Sequence, residues 1–202
     1  MRLGILGTGG VAQTLAQRWS AVGHEISLGS RDPSSKAHLD FPVVLSDALV
    51  SDHDVVVNAT LGSASLEVMS KIGATVFADK ILVDVANANT PEFELLYPNS
   101  SLAEKLQDAL PQTHVVKTMN TASMSVMTNP VSLPMSSIFV SGNDARAKSL
   151  VDGLLTDFGW KHGSVVDLGG IESARGPEHY FLLFAAIMKS LGTPQFNIKL
   201  IT

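Results

Sequence analysis

The chain has 202 residues, of which 45% are hydrophobic and 16% are charged, as expected for one α/β domain with a well-filled core. A net charge of −5 disfavours a nucleic-acid-binding surface, which needs clustered lysines and arginines. The sequence contains no cysteine, which excludes disulfides, thiolate catalysis and cysteine-based metal sites. The longest apolar run, residues 180–188, is shorter than the roughly 20 residues that cross a bilayer. Because the first residues lead at once into a glycine-rich stretch, with no room for a signal peptide, we expect a cytoplasmic protein without a membrane partner.

Short apolar runs alternate with helix-like segments along the first half of the chain, a pattern typical of βαβ units and a parallel sheet. Several of the runs are continuous in Val, Ile and Leu, as strands covered on both faces should be. We predict strands at residues 2–6, 25–29, 43–45, 54–58, 81–84, 114–119, 137–141 and 165–168.

Two helices have clear boundaries in the sequence. The first is predicted over residues 11–22, with an apolar face at helical spacing, and Gly23 is placed to end it in a left-handed conformation. The second is predicted to begin after Asp144 as its N-cap, to run through Phe158 and to end at Gly159.

The C-terminal part of the chain is predicted to be helical from residue 172 to residue 191. Residues 180–188 are apolar on every side, so this helix must be covered all round. In a small domain the cover expected first is another subunit, and we therefore predict a homodimer formed through this helix. The alternative is that it is a central core helix within the chain.

A glycine-rich loop, Gly7-Thr8-Gly9-Gly10-Val11-Ala12, lies between the first predicted strand and the first predicted helix. In this context the pattern G-x-G-x-x-A is the fingerprint of a dinucleotide-binding site. The first glycine permits the tight turn, the second lets the backbone approach the pyrophosphate, and the helix N-terminus receives the phosphate charge. The sequence therefore predicts a Rossmann-type α/β fold, a doubly wound and mainly parallel sheet with a small C-terminal helical tail. We expect residues 1–170 to bind the dinucleotide and residues 171–202 to form a dimerisation or substrate-lid segment.

The end of the second strand indicates which dinucleotide is bound. NAD-binding relatives of the motif carry an acidic residue there, whereas this chain has Ser30 and Arg31, with Lys36 one turn away. A hydroxyl and a guanidinium suit a 2′-phosphate, so we predict NADP(H). Asp32 would favour NAD if it faced the ribose, but we expect it to cap the short turn at residues 32–34.

The segments that follow the fourth, fifth and sixth strands are small and rich in amides and hydroxyls, and they contain no strong acid or base apart from Asp84. Such segments can hold a ribose and a carboxamide, and hydride transfer needs positioning more than side-chain chemistry. We expect Asp84 to tie a loop rather than relay protons, because no basic residue is adjacent to it in sequence. The histidines lack metal-ligand spacing, so no metal site is predicted, and His179 is interpreted as a solvated or interface residue.

Three segments, Leu6-Gly7-Thr8-Gly9, Leu28-Gly29-Ser30-Arg31-Asp32 and Val115-Val116-Lys117-Thr118-Met119-Asn120-Thr121, resemble the NADP oxidoreductase family that includes the coenzyme F420-dependent NADP reductases. The resemblance covers most of the chain, and the NADPH domain of STEAP-type metalloreductases is also similar. It implies that Thr8, Ser30 and Arg31 bind the 2′-phosphate and neighbouring phosphates, that Ala59, Thr60, Ala86 and Asn87 line the nicotinamide, and that an electron acceptor stacks over it. Asn120 stands where archaeal reductases of the family have a histidine, and residues 84–87 look closer to the metalloreductase version.

The sequence thus predicts an oxidoreductase that transfers a hydride between NADP(H) and a deazaflavin (coenzyme F420) or flavin-type acceptor. Two alternatives are an imine reductase resembling pyrroline-5-carboxylate reductase, whose helical domain is longer, and a non-catalytic NADPH-sensing protein. No catalytic side chain is assigned. The predicted cofactor-binding residues are Gly7, Thr8, Gly9, Gly10, Val11, Ser30, Arg31, Lys36, Asn58, Ala59, Thr60, Ala86, Asn87 and Asn120.

Overall fold

A computed structural model describes residues 1–201, so Thr202, the last residue of the predicted C-terminal segment, lies outside the described part of the chain. Eight strands form one sheet in the order β3-β2-β1-β4-β5-β6-β7-β8. All neighbouring strands are parallel except β6 and β7, which are antiparallel. The strands are β1 (Arg2–Leu6), β2 (Glu25–Ser30), β3 (Val43–Leu45), β4 (Val55–Asn58), β5 (Ile81–Asp84), β6 (His114–Thr118), β7 (Ile138–Gly142) and β8 (Val165–Asp167).

The helices cover both faces of this sheet. They are α1 (Gly10–Ala21), α2 (Ser46–Asp52), α3 (Gly62–Ile72), α4 (Ala74–Phe77), α5 (Leu102–Ala109), α6 (Met124–Met127), α7 (Ala145–Asp157) and α8 (Arg175–Leu191). The doubly wound, mainly parallel architecture with a C-terminal helix confirms the predicted fold class. All eight predicted strands are present, with boundaries that shift by one residue at most.

Side chains along each strand point alternately to the two faces of the sheet, and the core therefore has two halves. Ile5, Val57 and Val83 pack on the side of the sheet that α1 and α7 cover, where Trp19 and Phe158 stack with ring centroids 4.7 Å apart. Their neighbours Leu6, Val56 and Leu82 pack on the opposite side, against α2, α4 and α5. Successive strand side chains point to opposite faces, so a strand buried on both faces must be apolar throughout.

The predicted helix ends are those of the structure to within a residue. Gly23, directly after the C-cap of α1, has a φ of 95°, and the Asp144 side chain accepts a hydrogen bond from the Ala147 N–H at the start of α7. The sixth strand ends one residue earlier than predicted, because Met119 has a φ of 62° and turns the chain out of the sheet.

The C-terminal helix corrects one expectation. The predicted segment forms a 3-10 turn over Ile171–Ala174 followed by α8, but only Pro177 and Glu178 of α8 are buried. Leu182 and Leu183 are 46% and 54% exposed. The alternative of a central core helix within the chain is therefore wrong, and in the described chain an apolar helix lies on the surface with much of its circumference uncovered. Residues 1–201 contain no helix with the length and apolar character needed to span a membrane.

Candidate active site

The glycine loop connects β1 to α1 at the point where the sheet reverses its strand order. Gly7 has a φ of 120°, and a Cβ atom there would lie 2.5 Å from the carbonyl oxygen of Ala59, so only glycine fits this turn. Gly9 is the N-cap of α1 and has no side chain to block the helix terminus. The first N–H groups of a helix lack partners within it, and they form a site for a phosphate group.

Ser30 is the last residue of β2 and Arg31 follows it, on the same edge of the sheet as the glycine loop. Arg31 is exposed, and Lys36 is half-buried in the turn that follows. The side chain of Asp32 accepts hydrogen bonds from the Ser34 hydroxyl (2.5 Å) and the Ser35 N–H (3.3 Å). The hydrogen bond from Ser34 is the main reason that the pKa of Asp32 is below its usual value. The predicted role of Asp32 in capping its own turn is confirmed.

A cavity of about 410 Å³ opens beside the glycine loop, beyond the carboxyl ends of β4, β5 and β6. It contains six of the residues predicted from the sequence, namely Val11, Ala59, Thr60, Ala86, Asn87 and Asn120. The other residues that line it are Leu61, Gly62, Val85, Ala122, Ser123, Met124, Met127, Phe181, Phe184 and Pro194. None of these lining side chains is ionisable. Phe181, Phe184 and Pro194 were not among the predicted cofactor-binding residues, and they belong to the segment predicted to form a dimerisation or substrate lid.

Asn58 lies behind the cavity rather than in it. Its side chain is fully buried and donates to Asp84 Oδ1 (2.8 Å) and to Ser65 Oγ (3.0 Å). Its Oδ1 accepts hydrogen bonds from both the backbone N–H (3.1 Å) and the hydroxyl (2.6 Å) of Thr60. Asn58 therefore orients Thr60, which lines the cavity, and does not itself face the space where a ligand would bind.

Asn87 and Asn120 lie at the ends of neighbouring strands and pair with each other. The Asn120 Nδ2 donates to Asn87 Oδ1 (2.9 Å), and the Asn87 Nδ2 donates to the Asn120 carbonyl oxygen (2.8 Å). Asn120 also donates to the carbonyl oxygen of Pro177 in the first turn of α8 (2.9 Å). This pair joins two cavity-lining segments to the C-terminal helix.

Lys117, which is absent from the predicted site residues, is buried near the C-terminal end of β6. Its Nζ donates a hydrogen bond to Asp84 Oδ2 (2.8 Å) and another to the carbonyl oxygen of Ala86, and it forms an ion pair with Glu178 Oε1 at 3.0 Å. Burial by itself lowers the pKa of Lys117, but the two carboxylates outweigh it and hold the pKa above its ordinary value. Lys117 is therefore an ammonium ion in the folded protein.

Of the two expectations for Asp84, the contact with Lys117 leaves its role in tying the loop and corrects the expected lack of a basic partner. Asp84 Oδ1 accepts a hydrogen bond from the Ala86 N–H (3.2 Å), so it ties the loop as predicted. It nevertheless has a basic partner, because the parallel register pairs Asp84 directly with Lys117. A lysine directly after Val115 and Val116, in a strand buried on both faces, was the available signal, since a buried charge must be paired.

The histidines take no part in the cavity. His179 is half-buried, and its Nε2 is buried without a hydrogen-bond partner among the described residues. Residues 1–201 contain no group of three or more potential metal ligands.

The class that these features define is a Rossmann-fold dinucleotide-binding protein: the glycine loop leads into the N-terminus of α1, and the cavity lies where the doubly wound sheet reverses its strand order. The model of the family described as "NADP oxidoreductase coenzyme F420-dependent" matches residues 2–88. A candidate F420-dependent NADP reductase from Arthrobacter sp. FB24 is 35% identical, with a TM-score of 0.93 and full coverage of both chains. The chain belongs to this NADP oxidoreductase family.

Two further relatives set the limits of the similarity. Metalloreductase STEAP3 from Rattus norvegicus is 32% identical over 181 residues, which are 88% of this chain and 36% of that protein. The chain thus spans about a third of the curated relative it matches. Pyrroline carboxylate reductase from Plasmodium falciparum, solved with NADP bound, has a TM-score of 0.59 at 15% identity and covers 95% of this chain and 69% of that one, which shows a shared fold.

Proposed function

We propose that this protein transfers a hydride between NADP(H) and a planar tricyclic acceptor, a deazaflavin (coenzyme F420) or a flavin. The observation that carries the proposal is the lining of the cavity, which combines apolar side chains, amides and hydroxyls with two phenylalanines of α8 and has no ionisable group. A cavity of about 410 Å³ with aromatic side chains suits a flat ring system.

The proposed position of the dinucleotide follows from the residues around the sheet edge. The pyrophosphate is bound at Gly7, Thr8, Gly9 and Gly10 by the N-terminus of α1, and Ser30, Arg31 and Lys36 bind the 2′-phosphate. The fit of the dinucleotide to this loop is supported by the tight turn at Gly7, which requires glycine because a side chain there would clash with the Ala59 carbonyl. When bound, NADPH supplies the hydride. Ala59, Thr60, Ala86, Asn87 and Asn120 hold the nicotinamide end, with Val11 beside it and Asn58 behind Thr60.

The chemistry needs little from side chains. A hydride carries two electrons and one proton from the nicotinamide carbon to the acceptor, and the acceptor takes one further proton from water to complete its reduction. The cavity residues contribute by orienting the two ring systems at about 3–3.5 Å and by excluding water between them. The two phenylalanines that line the cavity suit stacking on a planar tricycle better than contact with a small imine, so the tricyclic acceptor is favoured.

The homodimer remains part of the proposal. The exposed stretch of α8 is apolar, and an exposed apolar helix in water marks an association surface. A second copy is the partner we propose, because the helix that would be covered also carries Phe181 and Phe184 of the cavity. Residues 171–202 then serve as the dimerisation and substrate-lid segment, and residues 1–170 as the nucleotide-binding domain.

The test is anaerobic oxidation of NADPH in the presence of a deazaflavin, a free flavin or a cyclic imine, followed by absorbance. We expect turnover with a tricyclic acceptor and none with the imine. Phe184→Leu should raise the KM for the acceptor by about 3- to 10-fold, since a lost aromatic contact costs about 0.5–1.5 kcal/mol, and should leave the KM for NADPH unchanged. Phe93→Leu is the matched control, because Phe93 stacks on Phe181 without lining the cavity.

Turnover with the imine alone would replace the proposed activity by imine reduction. Saturable NADPH binding without turnover on any acceptor would instead indicate a sensing protein.

A further inference from the structure

Lys117 is the centre of a buried network that joins three parts of the chain. Its three N–H groups contact Asp84 at the end of β5, the Ala86 carbonyl in the loop after β5, and Glu178 in the first turn of α8. The side chains of Lys117 and Asp84 are fully buried, and that of Glu178 is 5% exposed. The ammonium group is thus paired with two carboxylates and a carbonyl oxygen, as a buried charge requires.

The loop held by Lys117 is one wall of the cavity, and we call residues 85–87 the floor. The floor also contacts the start of α3, where a Cβ atom at Gly62 would overlap the Asn87 carbonyl group. The floor is therefore held both by close backbone contact with α3 and by the Lys117 ammonium. A small shift of Lys117 would move Ala86 with it.

Glu178 fixes a second wall of the cavity. Its Oε2 accepts from the Leu102 N–H (2.7 Å) and its Oε1 from the Ala103 N–H (3.1 Å), which anchors α8 to the N-terminus of α5. Phe181, three residues further along α8, lines the cavity together with Phe184, and we call this pair the roof. One carboxylate thus contacts both the ion that holds the floor and the helix that carries the roof.

We propose that Glu178 is a positioning residue that sets the distance between the floor and the roof of the cavity. This inference rests on the proposed hydride transfer, in which the nicotinamide lies against the floor and the acceptor against the roof. Hydride transfer depends steeply on the distance and alignment of the two carbons. Neutralising Glu178 weakens its hold on Lys117 and on the two N–H groups of α5, so the two rings lose their alignment while the phosphate-binding residues are untouched.

The experiment compares Glu178→Gln with Arg175→Gln. Arg175 lies one turn earlier on α8 and also binds α5, through Glu104 (2.6 and 2.8 Å), but it touches neither Lys117 nor the floor. For Glu178→Gln we expect the kcat to fall by about tenfold or more, an effect of the size that a misplacement of about 1 Å produces. We expect the NADPH dissociation constant to change little, because the phosphate contacts are unchanged. Arg175→Gln should keep the wild-type kcat.

A second measurement uses NADPH alone and so does not depend on the acceptor. The fluorescence of bound NADPH reports the surroundings of the nicotinamide, and it should change in Glu178→Gln and not in Arg175→Gln. If wild-type protein turns over no tricyclic acceptor, the proposed function fails, while this signal still tests the role of Glu178. If Glu178→Gln does not fold, as judged by circular dichroism, Glu178→Asp replaces it, since it keeps the charge and shortens the reach. Equal kcat and equal fluorescence in the folded Glu178 and Arg175 variants would overturn the proposal.

Discussion

Arg31 projects from the exposed turn after β2, where the nearest carboxylate in sequence, Asp32, is already occupied by Ser34 and Ser35. The turn therefore offers an exposed guanidinium and a hydroxyl, while the Asp32 carboxylate is occupied within its own turn. A carboxylate available at this position would repel a 2′-phosphate and bind a ribose hydroxyl.

We predict that Arg31→Ala weakens NADPH binding by about 10- to 100-fold, the equivalent of the 1.5–3 kcal/mol of a charge-assisted hydrogen bond, and leaves NADH binding nearly unchanged. Titration calorimetry with both nucleotides measures the difference. Arg146→Ala is the control, since α7 begins at the opposite edge of the sheet, after the antiparallel strand β7. An equal loss of affinity for NADPH and NADH would show that Arg31 does not bind the 2′-phosphate.

At the same scale, the limits of sequence reasoning are visible in individual residues. The glycine loop and six cavity residues could be predicted because short-range motifs and strand ends determine their place. Lys117 and Glu178 could not be paired in advance, because 61 positions separate them and nothing local relates β6 to the first turn of α8. The pairing of Asp84 with Lys117 could have been predicted, because the two residues have opposite charges and lie near the ends of neighbouring buried strands.

Among the elements, the strands could be predicted more sharply than the helices. The central strands β1, β4, β5 and β6 are largely buried, so their apolar runs have abrupt ends, and all strand boundaries are right to one residue. The short helices α2, α4 and α6 carry little periodicity in four to seven residues, and the sequence did not define their bounds. For α8 the apolar pattern correctly predicted a helix, but hydrophobicity does not indicate whether the same chain or a second subunit covers it.

The exposed face of α8 leads to a prediction about assembly. We expect the protein to be a dimer at micromolar concentration, and Leu183→Glu to weaken the dimer by about a hundredfold or more, because an unpaired charge in an apolar interface costs several kcal/mol. Light scattering after gel filtration measures the mass of both forms.

Val131→Glu is the matched control for this prediction, since Val131 is an exposed aliphatic residue of the short turn before β7 and is not part of α8. A wild-type protein that stays monomeric, or a control that dissociates equally, would contradict the assignment of α8 as the interface.

For the molecule as a whole, the titratable groups define a pH range of stability. The pKa of Glu104 is lowered chiefly by its hydrogen bonds from Arg175, and the pKa of Asp144 by the Ala147 N–H. Groups with a depressed pKa stabilise the fold above their unfolded values, near 4, and this stabilisation is lost as the pH falls through the folded values. The pKa values of Tyr97 and Tyr180 are raised by burial, so their contribution is present below pH about 10 and is lost as the pH rises through the raised values.

We therefore expect the free energy of unfolding to be nearly constant from about pH 5 to 9 and to fall on either side. Urea unfolding across this range measures it. Arg175→Gln removes the cause of the Glu104 shift, so this variant should lose less stability than the wild type between neutral and acid pH. Stability that rises on acidification would contradict the assignment.

The two halves of the chain differ in what they contribute to the cavity. The glycine loop and the turn at Ser30 lie within the first 31 residues, whereas Phe181, Phe184 and Pro194 come from the last 30. Under the proposed function, the residues that bind the phosphates of the electron donor and those that select its reaction partner therefore lie far apart in the sequence. Substitutions near the C-terminus can then change which oxidant is reduced while the nucleotide-binding residues stay the same. Proteins that descend from one such fold can therefore use different oxidants with the same electron donor.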